Sequence, residues 1–122
     1  MKAVFDDSKP IFQQVAEMIA DDIVDGELEE GEQIPSTTEI SKFYQVNRAT
    51  VQKGLSLLVE SGYAFKQRGV GIFVAEGAKS RLLAERKEDF HIQYVKPMLE
   101  EAKRLQMTKE EIIHFMEEKY DD

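Results

Sequence analysis

The stretch that decides the fold is STTEISKFYQVNRATVQKGLSLLVESG at residues 36–62, followed by YAFKQRGVGIFVA at residues 63–75. Ser36 and Glu39 stand three apart, the spacing of a capping box, and open a short helix through Ile40, Phe43 and Tyr44. Gln45-Val46 is the turn, and Asn47 is a suitable N-cap for a second helix. That helix turns Val51, Leu55, Leu58 and Val59 inward, and Gly62 ends it. Its other face carries Arg48, Ala49, Gln52, Lys53 and Ser56. The β-prone runs Tyr63–Lys66 and Gly71–Ala75 are joined by Gln67-Arg68-Gly69-Val70, a hairpin with glycines where positive φ is needed. Two short helices around a tight turn, then a hairpin with a basic tip, suit DNA grooves better than small-molecule chemistry.

Upstream, Pro10 opens a helix at a position where its missing N–H is harmless. Ile11, Val15, Met18, Ile19 and Ile23 recur at helical spacing, and Gly26 stops that helix near Asp25. The acidic segment Glu27–Gln33 is turn-rich. Ile34 precedes a proline, which favours extended geometry and predicts a short strand there.

Downstream, Leu82, Leu83, Phe90, Tyr94, Val95, Met98, Leu99, Ala102 and Leu105 form an apolar stripe from Ala78 onwards. Pro97 lies inside this run and is expected to kink or split the helix near Lys96. Thr108 and Glu111 repeat the capping-box spacing and open a last helix with Ile112, Ile113, Phe115, Met116 and Tyr120. A two-helix unit of this size cannot bury both faces alone, so the stripe must pack on the winged domain or on a second copy.

The 122 residues, 42% of them apolar, fill one modest core with an appendage. The absence of cysteine excludes disulfides, thiolate nucleophiles and thiolate zinc sites. No run approaches the roughly 18 apolar residues of a membrane span, and no signal peptide opens the chain, so a soluble cytoplasmic protein is expected. His91 and His114 lie on different helices without an i, i+4 partner ligand, and no metal or other cofactor is expected. No nucleophile–base set or phosphate loop supports an enzyme.

The net charge of −8 argues against nucleic acid until its distribution is considered. Residues 1–35 hold two basic groups against ten acids, and residues 76–122 hold nine against twelve. Residues 36–75 hold Lys42, Arg48, Lys53, Lys66 and Arg68 against Glu39 and Glu60. Screening confines exposed charges to about 10 Å at ordinary salt, so this local excess outweighs the global sum. Arg48 can pair with guanine or clamp a phosphate, Gln52 can pair with adenine, and the methyls of Ala49 and Thr50 can meet thymine. Lys66, Gln67, Arg68 and Gly69 would set a narrow cationic loop against phosphates or in a minor groove. Taken singly, each of these features also reads as an ordinary solvated surface.

The runs Pro10-Ile-Phe-Gln-Gln-Val, Gly26-x-Leu28-x-x-Gly31-x-x-Ile34-Pro35-Ser36, Val46-Asn47-Arg48-x-Thr50-Val51, Leu55-x-x-Leu58-x-x-x-Gly62 and Arg68-Gly69-x-Gly71-x-Phe73-Val74 resemble the GntR family of bacterial winged-helix transcription regulators. The short tail is similar to the YtrA-type subfamily, whose C-terminal helices serve dimerisation. The expected DNA contacts are Ser36, Thr38, Asn47, Arg48, Ala49, Thr50, Gln52, Lys53, Lys66, Arg68 and Gly69, of which Arg48, Arg68 and Gly69 match the resemblance. Thr38 and Gln52 depart from it, since the family usually has arginine at both places. Arg48 keeps the family's arginine, and Arg68 and Gly69 match its wing.

The expected architecture is α+β, mostly α, with an N-terminal winged helix-turn-helix over residues 1–76 and a helical dimerisation tail over residues 77–122. The tail's interface would use Leu82, Leu83, Phe90, Tyr94, Met98, Leu99, Leu105, Ile112, Phe115 and Met116. The expected function is a repressor acting as a homodimer on double-stranded DNA, with no membrane partner. The alternative is a winged-helix module that binds a basic protein and never touches DNA, although such a module has no need of the basic patch. A third reading adds a small-molecule effector between two tails, and the sequence identifies none.

Overall fold

The computed structural model describes residues 5–121. The elements run α1 (Ile11–Asp25), α2 (Thr37–Tyr44), α3 (Arg48–Glu60), β1 (Ala64–Gln67), β2 (Gly71–Val74), α4 (Ala78–Phe90), a π-helical turn (His91–Val95), α5 (Lys96–Arg104) and α6 (Lys109–Lys119). The result is the expected mostly helical winged helix-turn-helix with further helices at its C-terminal side. The chain divides into two compact units, Met1–Leu83 and Ala84–Asp122.

In the first unit, α1 packs across α3 and α2 leans on α3. Val15, Ile19 and Ile23 from α1 meet Ile40 from α2, and Val51, Leu55 and Leu58 from α3. Ile34, Ala64 and Val74 close the core from the wing side. The caps follow the sequence reading. Ser36 Oγ accepts from the Glu39 amide at 3.1 Å while Glu39 Oε1 accepts from the Ser36 amide at 3.1 Å. Asn47 Oδ1 accepts from the Ala49 amide at 2.8 Å, which makes Arg48 the first residue of α3. Pro10 stands one place outside α1, and its carbonyl accepts from the amides of Gln13 and Gln14. Phe43 is 77% exposed and stacks edge-on against Tyr44 at 4.7 Å. Eight residues give α2 only about two turns, so Ile40 and half-buried Tyr44 already fill its inward stripe.

The wing is a two-stranded antiparallel hairpin pairing Ala64 with Val74 through to Gln67 with Gly71. A third segment lies along its β2 edge. The Ile34 amide donates to Ile72 O at 2.8 Å, the Val74 amide to Glu32 O at 2.9 Å, and the Gly31 amide to Val74 O at 2.9 Å. The extended conformation expected at Ile34 is thus present, but it makes a single bridge at Gln33 rather than a strand. Pro35 follows at once and lacks an N–H to continue the ladder.

Leu82 requires a correction to the sequence reading. Placed there in the dimerisation stripe, it is 4% exposed and packs with Ala78 in the core of the winged unit. The two residues lie four apart on one face of α4. Arg81 fixes that docking by lying over the Tyr63 ring, 4.9 Å from its centroid, and donating to Gly62 O. Helix α4 continues through the division between the units.

In the second unit, Pro97 interrupts the helical ladder as expected. The interruption is a π-helical turn, in which the Lys96 amide reaches back five residues to His91 O. The capping box of α6 is present, with Thr108 Oγ1 accepting from the Glu111 amide at 3.1 Å. Ala102 is the buried side chain among the described residues of this unit. Leu105, Phe115 and Met116 are exposed by 62, 53 and 49%. Met98, Leu105, Met107, Ile112, Phe115 and Met116 line a groove of about 530 Å³.

Two predictions follow from the first unit. At Gly54 an added Cβ would stand 2.7 Å from Phe12 O and 3.1 Å from Val15 Cβ, so α1 crosses α3 where no side chain intervenes. Gly54→Ala should gain about 1 kcal/mol of helix propensity but lose more to overpacking, typically 1–3 kcal/mol. A lower denaturant midpoint is expected, and a raised one would show that the crossing can relax.

The second concerns Asp22, a buried charged residue on α1. Burial, then the nearby charges of Glu27 and Asp21, raise its carboxyl above the ordinary 3.8. Burial and the Asp22 charge also raise the Tyr44 hydroxyl. The folded chain therefore holds the Asp22 proton more tightly than the unfolded chain does. The associated stability is full below the ordinary carboxylate value and is lost as pH rises through the folded one. Asp22→Asn should lose less stability than the wild type as pH rises from acid to neutral. Denaturant midpoints measured across that range check it.

Candidate nucleic-acid interface

Helix α3 buries Val51, Leu55 and Leu58, so the helical period sends Arg48, Ala49, Gln52 and Lys53 to the solvent side. Arg48 and Gln52 lie four apart on one exposed face, at the end of the helix where a reading helix meets base edges. Thr50 is half-buried, and Asn47 is committed by its side chain to the cap. Lys53 is exposed but turned toward α1, with Nζ 4.1 Å from the centre of the Phe12 ring. Its charge is anchored by a cation–π contact beside the reading face.

A groove of about 260 Å³ separates the start of α2 and the face of α3 from the wing. Ser36, Thr38 and Gln52 line it on the helical side, and Lys66 on the wing side. Arg68 and Gly69 sit at the exposed tip, where Gly69 adopts φ 77°, a conformation costly for other residues. The structure therefore brings Ser36, Thr38, Gln52 and Lys66 to one groove. Arg48 and Ala49 are exposed at the start of α3, and Arg68 and Gly69 stand at the end of the hairpin.

Two residues of this surface, Thr37 and Gln33, were not singled out from the sequence. Thr37 lines the groove, and its Oγ1 donates to Gln52 Oε1 at 2.9 Å. Gln52 Nε2 in turn donates to Ser56 Oγ at 3.4 Å. Gln33 donates from Nε2 to Val70 O at 3.2 Å, tying the third segment to the wing tip. Its amide occupies space that any side chain at position 71 would need, and Gly71 leaves it free. Nothing in local spacing marks these contacts, because Gln33 and Val70 are 37 residues apart and Thr37 and Gln52 are 15 apart.

Among the described residues no group of three His, Cys, Asp or Glu side chains is placed to hold a metal ion. No helix among them is long and apolar enough to cross a membrane. The surface is suited to a polyanion with readable edges: one arginine and one amide on a helix face, and cations on a narrow hairpin beside it.

Comparison with known proteins agrees with this geometry. Residues 11–74, from the first residue of α1 to the last of β2, match the model of the gntR family of bacterial regulatory proteins. The uncharacterized HTH-type transcriptional regulator YhcF of Bacillus subtilis is 33% identical over 89% of this chain and 88% of its own length. A GntR-family regulator from Bacteroides thetaiotaomicron superposes with a TM-score of 0.72 at 34% identity, covering 90% of this chain and 95% of that one. The DNA-binding domain of AraR, solved in complex with its operator ORX1, superposes with a TM-score of 0.55 at 30% identity, over 59% of this chain and 93% of that one. With its family segment spanning the three helices and the wing that build the groove, the chain belongs to the GntR family of bacterial DNA-binding transcription regulators.

Proposed function

We propose that this regulator is a cytoplasmic repressor of the YtrA type, acting as a homodimer on a pseudo-palindromic operator. The observation that carries the reading is the exposed face of α3, with Arg48 at its head and Gln52 in the wall of a groove that Lys66 of the wing lines from the other side. In this reading Arg48, Ala49, Thr50 and Gln52 meet base edges in the major groove, with Lys53 beside them. Ser36, Thr38 and Asn47 lie along the phosphates at the helix starts, and Lys66, Arg68 and Gly69 enter the adjacent groove. The acidic remainder of the chain keeps non-specific binding weak, because few cations are present to displace counterions. The operator complex of the AraR domain supports a DNA-facing role for the corresponding surface.

The tail would make the dimer. Phe90, Tyr94, Met98, Leu99, Leu105, Phe115 and Met116 are all exposed, and Leu83 and Ile112 are half-buried. So much uncovered apolar surface on about 40 residues is what soluble proteins normally bury. A two-fold partner covers it with one self-complementary contact and sets two α3 helices on half-sites about one DNA turn apart, or a multiple of it. Removing the tail at residue 76 would also strip Ala78 and Leu82 from the winged core, so substitution is the sounder way to isolate its role.

Arg48→Ala should leave the fold intact and weaken binding to a selected operator by about tenfold or more per half-site, since a bidentate base contact is worth about 1–3 kcal/mol. Titration of labelled duplex measures this, and unchanged affinity would remove α3 from the reading role. Phe115→Glu with Met116→Glu should give a folded monomer in sedimentation, because both side chains are exposed within one chain. Its operator affinity should fall sharply. A variant that still dimerises would show that the interface lies elsewhere.

A further inference from the structure

The recognition helix of this chain carries an amide where its family resemblance leads one to expect a guanidinium, and the structure shows what holds that amide. Thr37, the first residue of α2, donates from Oγ1 to Gln52 Oε1 at 2.9 Å. Gln52 Nε2 donates to Ser56 Oγ, one turn further along α3, at 3.4 Å. Thr37 and Ser56 are both half-buried, whereas Gln52 is exposed at the groove. A glutamine amide has two acceptor lone pairs and two N–H donors. The chain Thr37–Gln52–Ser56 uses one of each, which leaves one lone pair and one N–H for a partner outside the protein. The count is the same if the amide oxygen and nitrogen are exchanged, because both hydroxyls can donate or accept.

We propose that Gln52, oriented by Thr37, selects an adenine in each operator half-site. This rests on the proposed reading role of α3 and adds the base identity at one position. The major-groove edge of adenine offers one acceptor, N7, and one donor, the N6 amine. It is the edge that uses both remaining groups of Gln52. Guanine offers two acceptors, N7 and O6, and would set one of them against the Gln52 oxygen. Thymine and cytosine each offer one usable group. Arginine at position 52 would favour guanine through two donors, so the replacement of arginine by a clamped glutamine changes the operator rather than merely weakening contact with it. Thr37 acts as a positioning residue: it touches no base, and its hydroxyl keeps the amide from rotating to satisfy another edge.

The test uses the full-length protein. Selection from random duplex DNA yields the bound site, and the position whose preference changes in Gln52→Ala is the one beneath residue 52. Titration of the four duplexes differing only there should rank adenine first for the wild type, by about tenfold or more. Gln52→Arg should move the preference to guanine at that position and at no other. Thr37→Val, nearly isosteric but without the donor, should flatten the preference there while leaving thermal stability and the preference beneath Arg48 unchanged. Thr37→Ser should restore it. A base other than adenine at this position, or a Thr37→Val variant that weakens all sites equally, overturns the assignment while the DNA-reading role of α3 stands. No position responding to Gln52→Ala also overturns it. A wild type that selects no duplex at all overturns the reading role as well.

Discussion

The close crossing of α1 over α3 at Gly54 governs most of what the winged unit presents to its surroundings. With no side chain at that point, the Phe12 carbonyl and Val15 lie directly on the α3 backbone. That contact fixes the rotation of α3 about its own axis. Once Val51, Leu55 and Leu58 are committed inward, the helical period leaves no choice for Arg48 and Gln52. Packing at this density does not deform continuously, so the orientation of the reading face is a property of the core rather than of the surface residues themselves.

The same constraint sets the second wall of the groove. Because α2 leans on α3, its N-terminal threonine is carried to the flank of Gln52, and a hydroxyl that would otherwise be solvated becomes an orienting group. The wing is held from the opposite side by residues 31–34, whose amides and carbonyls add a third row to a two-stranded hairpin. An isolated hairpin is marginal in water. The Gln33 amide on Val70 O extends that support to the tip, where Arg68 and Gly69 lie. The acidic segment before Ser36 thus contributes to the interface through its backbone and one neutral side chain.

The second unit follows a different logic. Its helices begin and end where capping and Pro97 dictate, yet they enclose little. Ala102 is buried while Leu105, Phe115 and Met116 remain open, the reverse of what a self-sufficient domain of that composition shows. Charge is distributed to match. The cations beside the groove are few and placed, and the rest of the chain is acidic. Such a surface gains little from general attraction to phosphate and depends on the placement of these few groups.

Local chemistry was legible in the residues alone. The capping boxes at Ser36–Glu39 and Thr108–Glu111, the Asn47 cap, the Gly26 stop and the Gly69 turn depend on groups within a few places of one another, and each formed where its spacing required. So did the inward stripe of α3, and with it the exposure of Arg48, since a 3.6-residue period needs no tertiary information. Phe43 stays exposed because an eight-residue helix has too narrow a buried face for every apolar residue it carries. Leu82 misled because helical spacing groups it with the later apolar residues of the tail, whereas it packs with Ala78 in the core of the winged unit. The clamp on Gln52, the Gln33 tie to the wing and the Lys53 contact with Phe12 join residues 15, 37 and 41 places apart in the sequence. Periodicity determined which residues face outward, but only chain crossing decided which outward residues meet, because that depends on how separate elements pack and not on the order in which they are written.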